Sequence, residues 1–270
     1  MHPVRTVRRI AWRGAPAVDG DRAVPEETAI AFTYNGSSHA VMMATPQDLE
    51  DFAVGFSLSE DRIRSAGEIE SLEVVPLEEG IELRMWLVEE RMSQLRERHR
   101  RMLGPTGCGL CGVESLAEAL PRPRHVNGDS RFRPEHILAA LGSLTEAQKL
   151  NGETRAVHAA ALWKPDGGLI AVREDVGRHN ALDKLIGALA RGGQEAGGGV
   201  LVLSSRVSVE MVQKAAVLGV PLLAAMSAPT ALAIRTAEQA GITLVAVARD
   251  DGFEVFAHSR RMVLPGATPL

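Results

Sequence analysis

The sequence predicts an α/β fold in two parts, a smaller α+β unit over residues 1–120 and a larger α/β unit over 121–270. Three observations predict it. Residues 200–248 alternate strand, helix, strand, helix, strand, with strands 200–203, 221–225 and 242–248 rich in Val, Leu and Ala and helices over 208–218 and 230–240. Continuous apolar strands separated by helices mark parallel pairing through right-handed crossovers. Gly219 and Gly241 stand just past the two helices, where a C-terminal cap belongs. The first half, by contrast, reads as hairpins and short helices.

In chain order, the first fourteen residues carry Arg5, Arg8, Arg9 and Arg13 without the apolar run a signal peptide needs, and read as a basic, frayed tail. Residues 29–34 alternate, with Ile30, Phe32 and Tyr34 on one face, and Asn35-Gly36 turns the chain into a strand over 38–44. Thr45-Pro46-Gln47-Asp48 predicts a helix start with Thr45 as N-cap, and Leu49, Phe52, Ala53 and Phe56 form its apolar stripe. Residues 72–75 and 81–88 predict a second hairpin around Gly80, with Ile81, Leu83, Met85 and Leu87 sharing a face. Residues 89–103 predict a helix whose Arg91, Arg96, Arg98, Arg100 and Arg101 offer either a solvated face or a docking surface for an acidic partner. Residues 121–134 read as a connection. Strands 157–163 and 169–172 pair, a helix runs over 178–191, and a last strand over 253–257 follows the turn Asp250-Asp251-Gly252.

Composition narrows the function. Thirty basic and 34 acidic side chains among 270 residues leave a net charge of −4, which argues against bulk nucleic-acid binding through many phosphate contacts. Aromatic residues are 4% of the chain, so the core is expected to be aliphatic. The longest uncharged stretch, residues 215–234, approaches the ~20 residues of a membrane span. Gly219, Pro221, Ser227, Pro229 and Thr230 punctuate it as helix end, strand and new helix, so no span is expected. The only cysteines, Cys108 and Cys111, form one C-x-x-C, which points to a reducing cytoplasm rather than to a disulfide scaffold.

Three segments are candidates for chemistry. Residues 104–112 hold four glycines in nine positions around Cys108 and Cys111, before a predicted helix over 113–120. A thiol at a helix N-terminus is stabilised as thiolate. A structural zinc site needs four ligands, and His99 and His125 lie in poor spacing for it, so no structural metal is expected. A dithiol redox pair and an inert core pair stay open beside the leading reading, a nucleophilic or sulfur-carrying thiolate. The second segment is Arg173-Glu174-Asp175-Val176-Gly177-Arg178-His179-Asn180, at a strand end that opens a helix. Arg178 and His179 suit a phosphate or carboxylate there, against the plainer reading of a cap by Asp175. The third is Ser204-Ser205-Arg206-Val207-Ser208, with hydroxyls and a guanidinium for a phosphate, against a simple Ser208 N-cap. His158 is either a hydrogen-bonded core histidine or a catalyst.

Cys108-Gly109-Leu110-Cys111-Gly112, Val157-His158-Ala159-Ala160-Ala161, residues 173–184 and Ser204-Ser205-Arg206 together resemble the FdhD family of formate dehydrogenase accessory sulfurtransferases. Residues 48–56 and 210–214 also match, and the likeness spans about residues 24–260. The resemblance implies a homodimer whose larger unit has a cytidine-deaminase-like three-layer fold. The H-x-E and P-C-x-x-C ligands of true deaminases are absent from this sequence. It also implies a sulfur carrier. A cysteine desulfurase would load Cys108 as a persulfide, and the sulfur would pass to the molybdenum or tungsten bis(pyranopterin guanine dinucleotide) cofactor, with GDP as a partial mimic, before insertion into formate dehydrogenase. Cys111 would either assist release by forming a disulfide with Cys108 or only support the chemistry of the loop. The family's cofactor-contacting segment matches Val247, Ala248, Arg249, Asp250, Asp251 and Gly252, although family members often carry Gly-Asp-Arg at the last three. Asp61-Arg62 likewise stands where the family usually has Gly and an apolar residue. The competing class is a non-catalytic chaperone that holds the cofactor, with a dithiol oxidoreductase third.

Overall fold

A computed structural model describes residues 1–14, 16–102, 122–264 and 266, with side chains left aside for 98–102. Strands β1 (Val4–Ala11) and β2 (Val18–Pro25) form an antiparallel hairpin. β3 (Thr28–Tyr34), β4 (Ser37–Ala44), helix α1 (Leu49–Ser59), β5 (Ile69–Pro76), β6 (Ile81–Leu87) and α2 (Glu89–Met102) follow. After the connection come α3 (Pro134–Ala147), α4 (Lys149–Thr154), β7 (His158–Lys164), β8 (Gly168–Asp175) and α5 (Arg178–Arg191). The alternating run is β9 (Val200–Leu203), α6 (Val209–Leu218), β10 (Leu222–Ala225), α7 (Ala231–Ala240) and β11 (Thr243–Arg249), closed by β12 (Gly252–Ala257). The expected boundary between residues 120 and 121, and the helix expected over 113–120, lie outside the described residues.

The molecule is a stack of layers. A four-stranded sheet in the order β4-β3-β6-β5 lays its inner face on α1. Helix α1 lies on α5, and α5, α6 and α7 cover one face of a six-stranded sheet in the order β12-β11-β10-β9-β7-β8. Helix α3 covers part of the other face, through Ile137, Ala140, Leu141 and Leu144. The parallel pairing of β9, β10 and β11 is as expected, with β7 antiparallel to β9. Gly219 and Gly241 take the left-handed cap conformation at φ 76° and 70°.

The core beneath α5, α6 and α7 is aliphatic, as the composition predicts. The small sheet departs from that expectation. Phe32, Phe52 and Phe56 gather there, with Phe32 stacked edge-on to Phe52 at 5.0 Å and lying 4.1 Å from Phe56. Concentrating large rings buries more area per residue, which a small unit needs most.

Three local expectations are corrected. The N-terminus is not frayed but forms β1, whose β-branched Val4, Thr6, Val7 and Ile10 pair along β2. Thr45 caps no helix: α1 starts at Leu49 behind Asp48, and the Thr45 hydroxyl instead accepts the Val176 N–H at 3.1 Å. Helices α3 and α4 were not foreseen. The unusual Asp61 takes φ 53° just past α1, the left-handed site where glycine is the unstrained choice and Asp is tolerated.

Candidate functional site

Strands β8, β9, β10 and β11 run the same way, so their carboxyl ends form one rim of the sheet. The turns after them carry residues 175–179, 204–208, 226–230 and 249–252, and His158 starts β7 at the same edge, opposite Asp175. The two candidate strand-end segments and the start of the C-terminal turn are thus brought to one side of the molecule. Cys108 and Cys111 lie outside the described residues.

Within the Arg173–Asn180 segment most side chains are already spent. Arg173 donates two bonds to Asp51, at 2.9 and 2.6 Å. Glu174 accepts the Leu150 and Asn151 N–H groups, both at 2.8 Å, at the start of α4. Asp175 is fully buried and accepts from Thr45 N (3.0 Å), Gly177 N (2.8 Å), Asn180 Nδ2 (2.9 Å) and Lys184 Nζ (2.6 Å). The plainer reading of Asp175 as a backbone cap therefore holds, and it extends to a network. Lys184, itself fully buried, also donates to the Thr45 carbonyl at 2.9 Å, and Asn180 to the Met43 carbonyl at 2.9 Å. Burial pulls the Lys184 ammonium below the ordinary lysine value, and Asp175 opposes that pull. This network ties the end of β4 to the start of α5.

Arg178 and His179 remain. Arg178 is the first residue of α5, behind Gly177, which gives no side-chain cap. Its Nε is buried and has no hydrogen-bond partner among the described residues. A buried unpaired guanidinium donor at a helix N-terminus is suited to an anionic ligand. His179 lines a cleft of about 500 Å³ with Glu210, Asp183, Lys214 and Ser59, its Nε2 4.0 Å from Glu210. Burial, then the Arg178 charge, lowers its pKa below the usual histidine value. His158 is lowered in the same order, by burial and then by Arg178. Beneath the cleft, Asp183 accepts Ser59 at 2.6 Å and Lys214 at 2.8 Å; burial raises its carboxyl, with Lys214 opposing.

The serine turn is more structural than expected. Ser204 Oγ accepts the Ala159 N–H at 2.8 Å, and the Ser204 N–H returns to the Ala159 carbonyl at 3.0 Å. Ser205 donates to the Arg206 carbonyl at 3.2 Å. Arg206 is exposed, and Ser208 holds the N-cap position of α6 without a side-chain cap bond. In the C-terminal turn Val247 takes φ 53° at a break in the β11–β12 register, and its N–H donates to the Ser227 carbonyl at 3.3 Å. Ala248 is buried; Arg249 bends back to the Met226 and Ala248 carbonyls. Asp250 and Asp251 are exposed at the tip, before Gly252 at φ 152°.

Sequence reasoning did not find Thr45, Asn180, Asp183, Lys184 and Lys214 as network members. No local pattern marks them, because their partners lie 31 to 155 residues away except for the short Asp175–Asn180–Lys184 spacing.

The fold defines a mixed α/β protein with a polar rim at the carboxyl ends of its larger sheet. The sequence profile of the FdhD/NarQ family matches residues 25–263, and the chain belongs to that family. It is 53% identical to the sulfur carrier protein FdhD of Agrobacterium fabrum over 261 residues, covering 96% of each chain. It is 47% identical to the sulfur carrier protein FdhD of Cupriavidus necator over 251 residues, 93% of this chain and 87% of that one. A solved structure described as a formate dehydrogenase accessory protein from Desulfotalea psychrophila has the same fold, with a TM-score of 0.74 at 24% identity, covering 96% of this chain and 99% of that one.

Proposed function

We propose that this chain is a sulfur carrier for formate dehydrogenase. It accepts sulfur from a cysteine desulfurase as a persulfide on Cys108. It delivers that sulfur to the molybdenum or tungsten bis(pyranopterin guanine dinucleotide) cofactor, its substrate, before the cofactor enters the enzyme. In the release step the Cys111 thiolate attacks the inner sulfur of the Cys108 persulfide. One S–S bond forms as another breaks, and the terminal sulfur leaves as hydrosulfide with both electrons of the broken bond; a thiol reductant resets the pair. The protein works as a homodimer in the reducing cytoplasm, and its larger unit has the cytidine-deaminase-like arrangement of layers.

The single structural observation that supports this reading is the Arg178 Nε, unpaired among the described residues, at the rim where β8 to β11 end. A guanine dinucleotide brings diphosphate, and a guanidinium at a helix N-terminus is a matched donor for it. The names of the relatives supply the sulfur-carrying half of the reading.

Calorimetry with GDP tests the rim. GDP binds the native protein, and Arg178→Ala weakens binding by about tenfold or more, the worth of one charge-assisted hydrogen bond. Cys108→Ala leaves GDP binding unchanged. Absence of GDP binding to the native protein contradicts the assignment of the rim. Formate dehydrogenase maturation that survives Cys108→Ala replaces sulfur transfer by the chaperone reading.

A further inference from the structure

Two cavities adjoin along helix α6. The first is the cleft of about 500 Å³ beside His179. The second, of about 590 Å³, lies between α6 and α7 and shares Arg122, Pro123 and Gln213 with the first. The shared residues make them one groove, which runs from Ser59 and Glu60 at the end of α1, across α6, to Arg235 and Gln239 on α7. Arg122 and Pro123 are the first described residues after the cysteine segment.

The two ends of the groove differ in charge. At the α1 end the charges meet one another: Lys214 is held by Asp183 and Glu60, and Arg124 lies 3.6 Å from Asp61. At the α7 end no carboxylate lines the cavity, and Arg122 and Arg235 are exposed with no ion pair among the described residues. The acidic side chains of α6 and α7 are placed elsewhere. Glu210 lines the first cavity, 4.0 Å from His179, and Glu238 lines neither. In a chain of net charge −4 this is a local basic excess. The described arginines of α2 do not compete for an acidic partner: Arg91 is buried and donates to the Asp61 and Arg62 carbonyls, and Arg96 pairs with Glu89 at 3.2 Å.

A compact anion is held best by donors that converge on one point. Here the guanidiniums stand on a connecting segment and on a helix, with Val209, Leu232 and Pro123 as apolar wall and the exposed Gln239 amide beside them. That spacing suits carboxylates separated by apolar side chains on an extended backbone. We propose that this groove docks an extended acidic segment of a protein partner, with its carboxylates on Arg122 and Arg235 and its apolar side chains against Val209 and Leu232. The charge pairs fix the direction of the segment and make the contact sensitive to salt. The contact is independent of the anion site at Arg178 and of the sulfur chemistry.

Fluorescence anisotropy on the full chain is the test, with a short labelled peptide of alternating glutamate and leucine as probe. The native protein binds it, more weakly as salt rises, and does not bind the lysine–leucine counterpart. Arg122→Glu/Arg235→Glu weakens binding by about tenfold or more, with unchanged circular dichroism, and gains binding of the lysine–leucine peptide. Arg8→Glu/Arg9→Glu makes the same change of net charge on the exposed β1–β2 hairpin and leaves binding as in the native protein. A native protein that ignores the acidic peptide overturns the proposal. So does a hairpin variant that loses binding as the groove variant does, because net charge then suffices. Displacement of the probe by inorganic phosphate as readily as by unlabelled peptide gives the groove to a small anion instead.

Discussion

Gly55 on α1 and Gly187 on α5 face each other so closely that a Cβ on Gly55 would lie 1.7 Å from the Asp183 carbonyl oxygen, and one on Gly187 1.8 Å from that of Asp51. Two helices can approach this closely only where side chains are absent. The contact makes α1 a helix buried on two sides: Phe52 and Phe56 face the four-stranded sheet, and Gly55 meets α5. It also sets Ser59 beside Asp183, and Asp51 beside Arg173 and Arg191. The layer that carries the rim is thus held by the helix on which the four-stranded sheet packs.

Gly55→Ala and Gly187→Ala are each expected to lower stability by about 2–3 kcal/mol or more, since backbone rather than a flexible side chain must move. Gly142→Ala is the control. It lies in α3 with nothing within 4 Å of the added methyl, and is expected to stabilise by up to about 1 kcal/mol. Urea unfolding of the three variants against the native protein measures the difference.

The buried Lys184–Asp175 pair gives the second expectation. Lys184→Met leaves Asp175 charged with an unfilled place in its shell, at a cost of about 3–5 kcal/mol. Adding Asp175→Asn recovers part of that loss, so the double variant is more stable than the sum of the singles implies. A double-mutant cycle by denaturant unfolding reads the coupling; strictly additive losses contradict the network.

The histidines give a pH expectation. Burial lowers His39, His158 and His179 below the ordinary value of 6.5. The folded state therefore holds them neutral while the unfolded chain takes up protons. Above the unfolded value these groups cost nothing; as pH falls through it, the unfolded state gains protons and stability drops until the folded values are reached. His158→Gln and His179→Gln are expected to flatten the fall of melting temperature between about pH 7 and about pH 5.5. A native slope equal to that of the double variant contradicts the shifts.

The parts legible in the sequence were those governed by local rules. β9 and α5 agree with the expected ranges, and β10, α6, α7 and β11 agree within one residue at each end, because apolar strands and glycine caps carry their own boundaries. Arg133-Pro134 with Ile137, Leu141 and Leu144 is a local start signal for α3, which begins at Pro134 and buries those three side chains. Thr45 was unreadable for a physical reason: its hydroxyl has a cap and a distant backbone N–H to choose between, and the partner 131 residues away wins. The same holds for the site. The segment 173–180 reads as either an anion site or a cap, and only the fold separates Asp175 and Asn180, which with Lys184 bind the chain to itself, from Arg178, whose Nε has no partner among the described residues.

The most direct measurement is intact-mass analysis with peptide mapping after incubation of the native protein with cysteine and a cysteine desulfurase. The account predicts one added sulfur atom on Cys108, removed by a thiol reductant and absent from Cys108→Ala. An unmodified Cys108, under conditions that load a control acceptor, would contradict it.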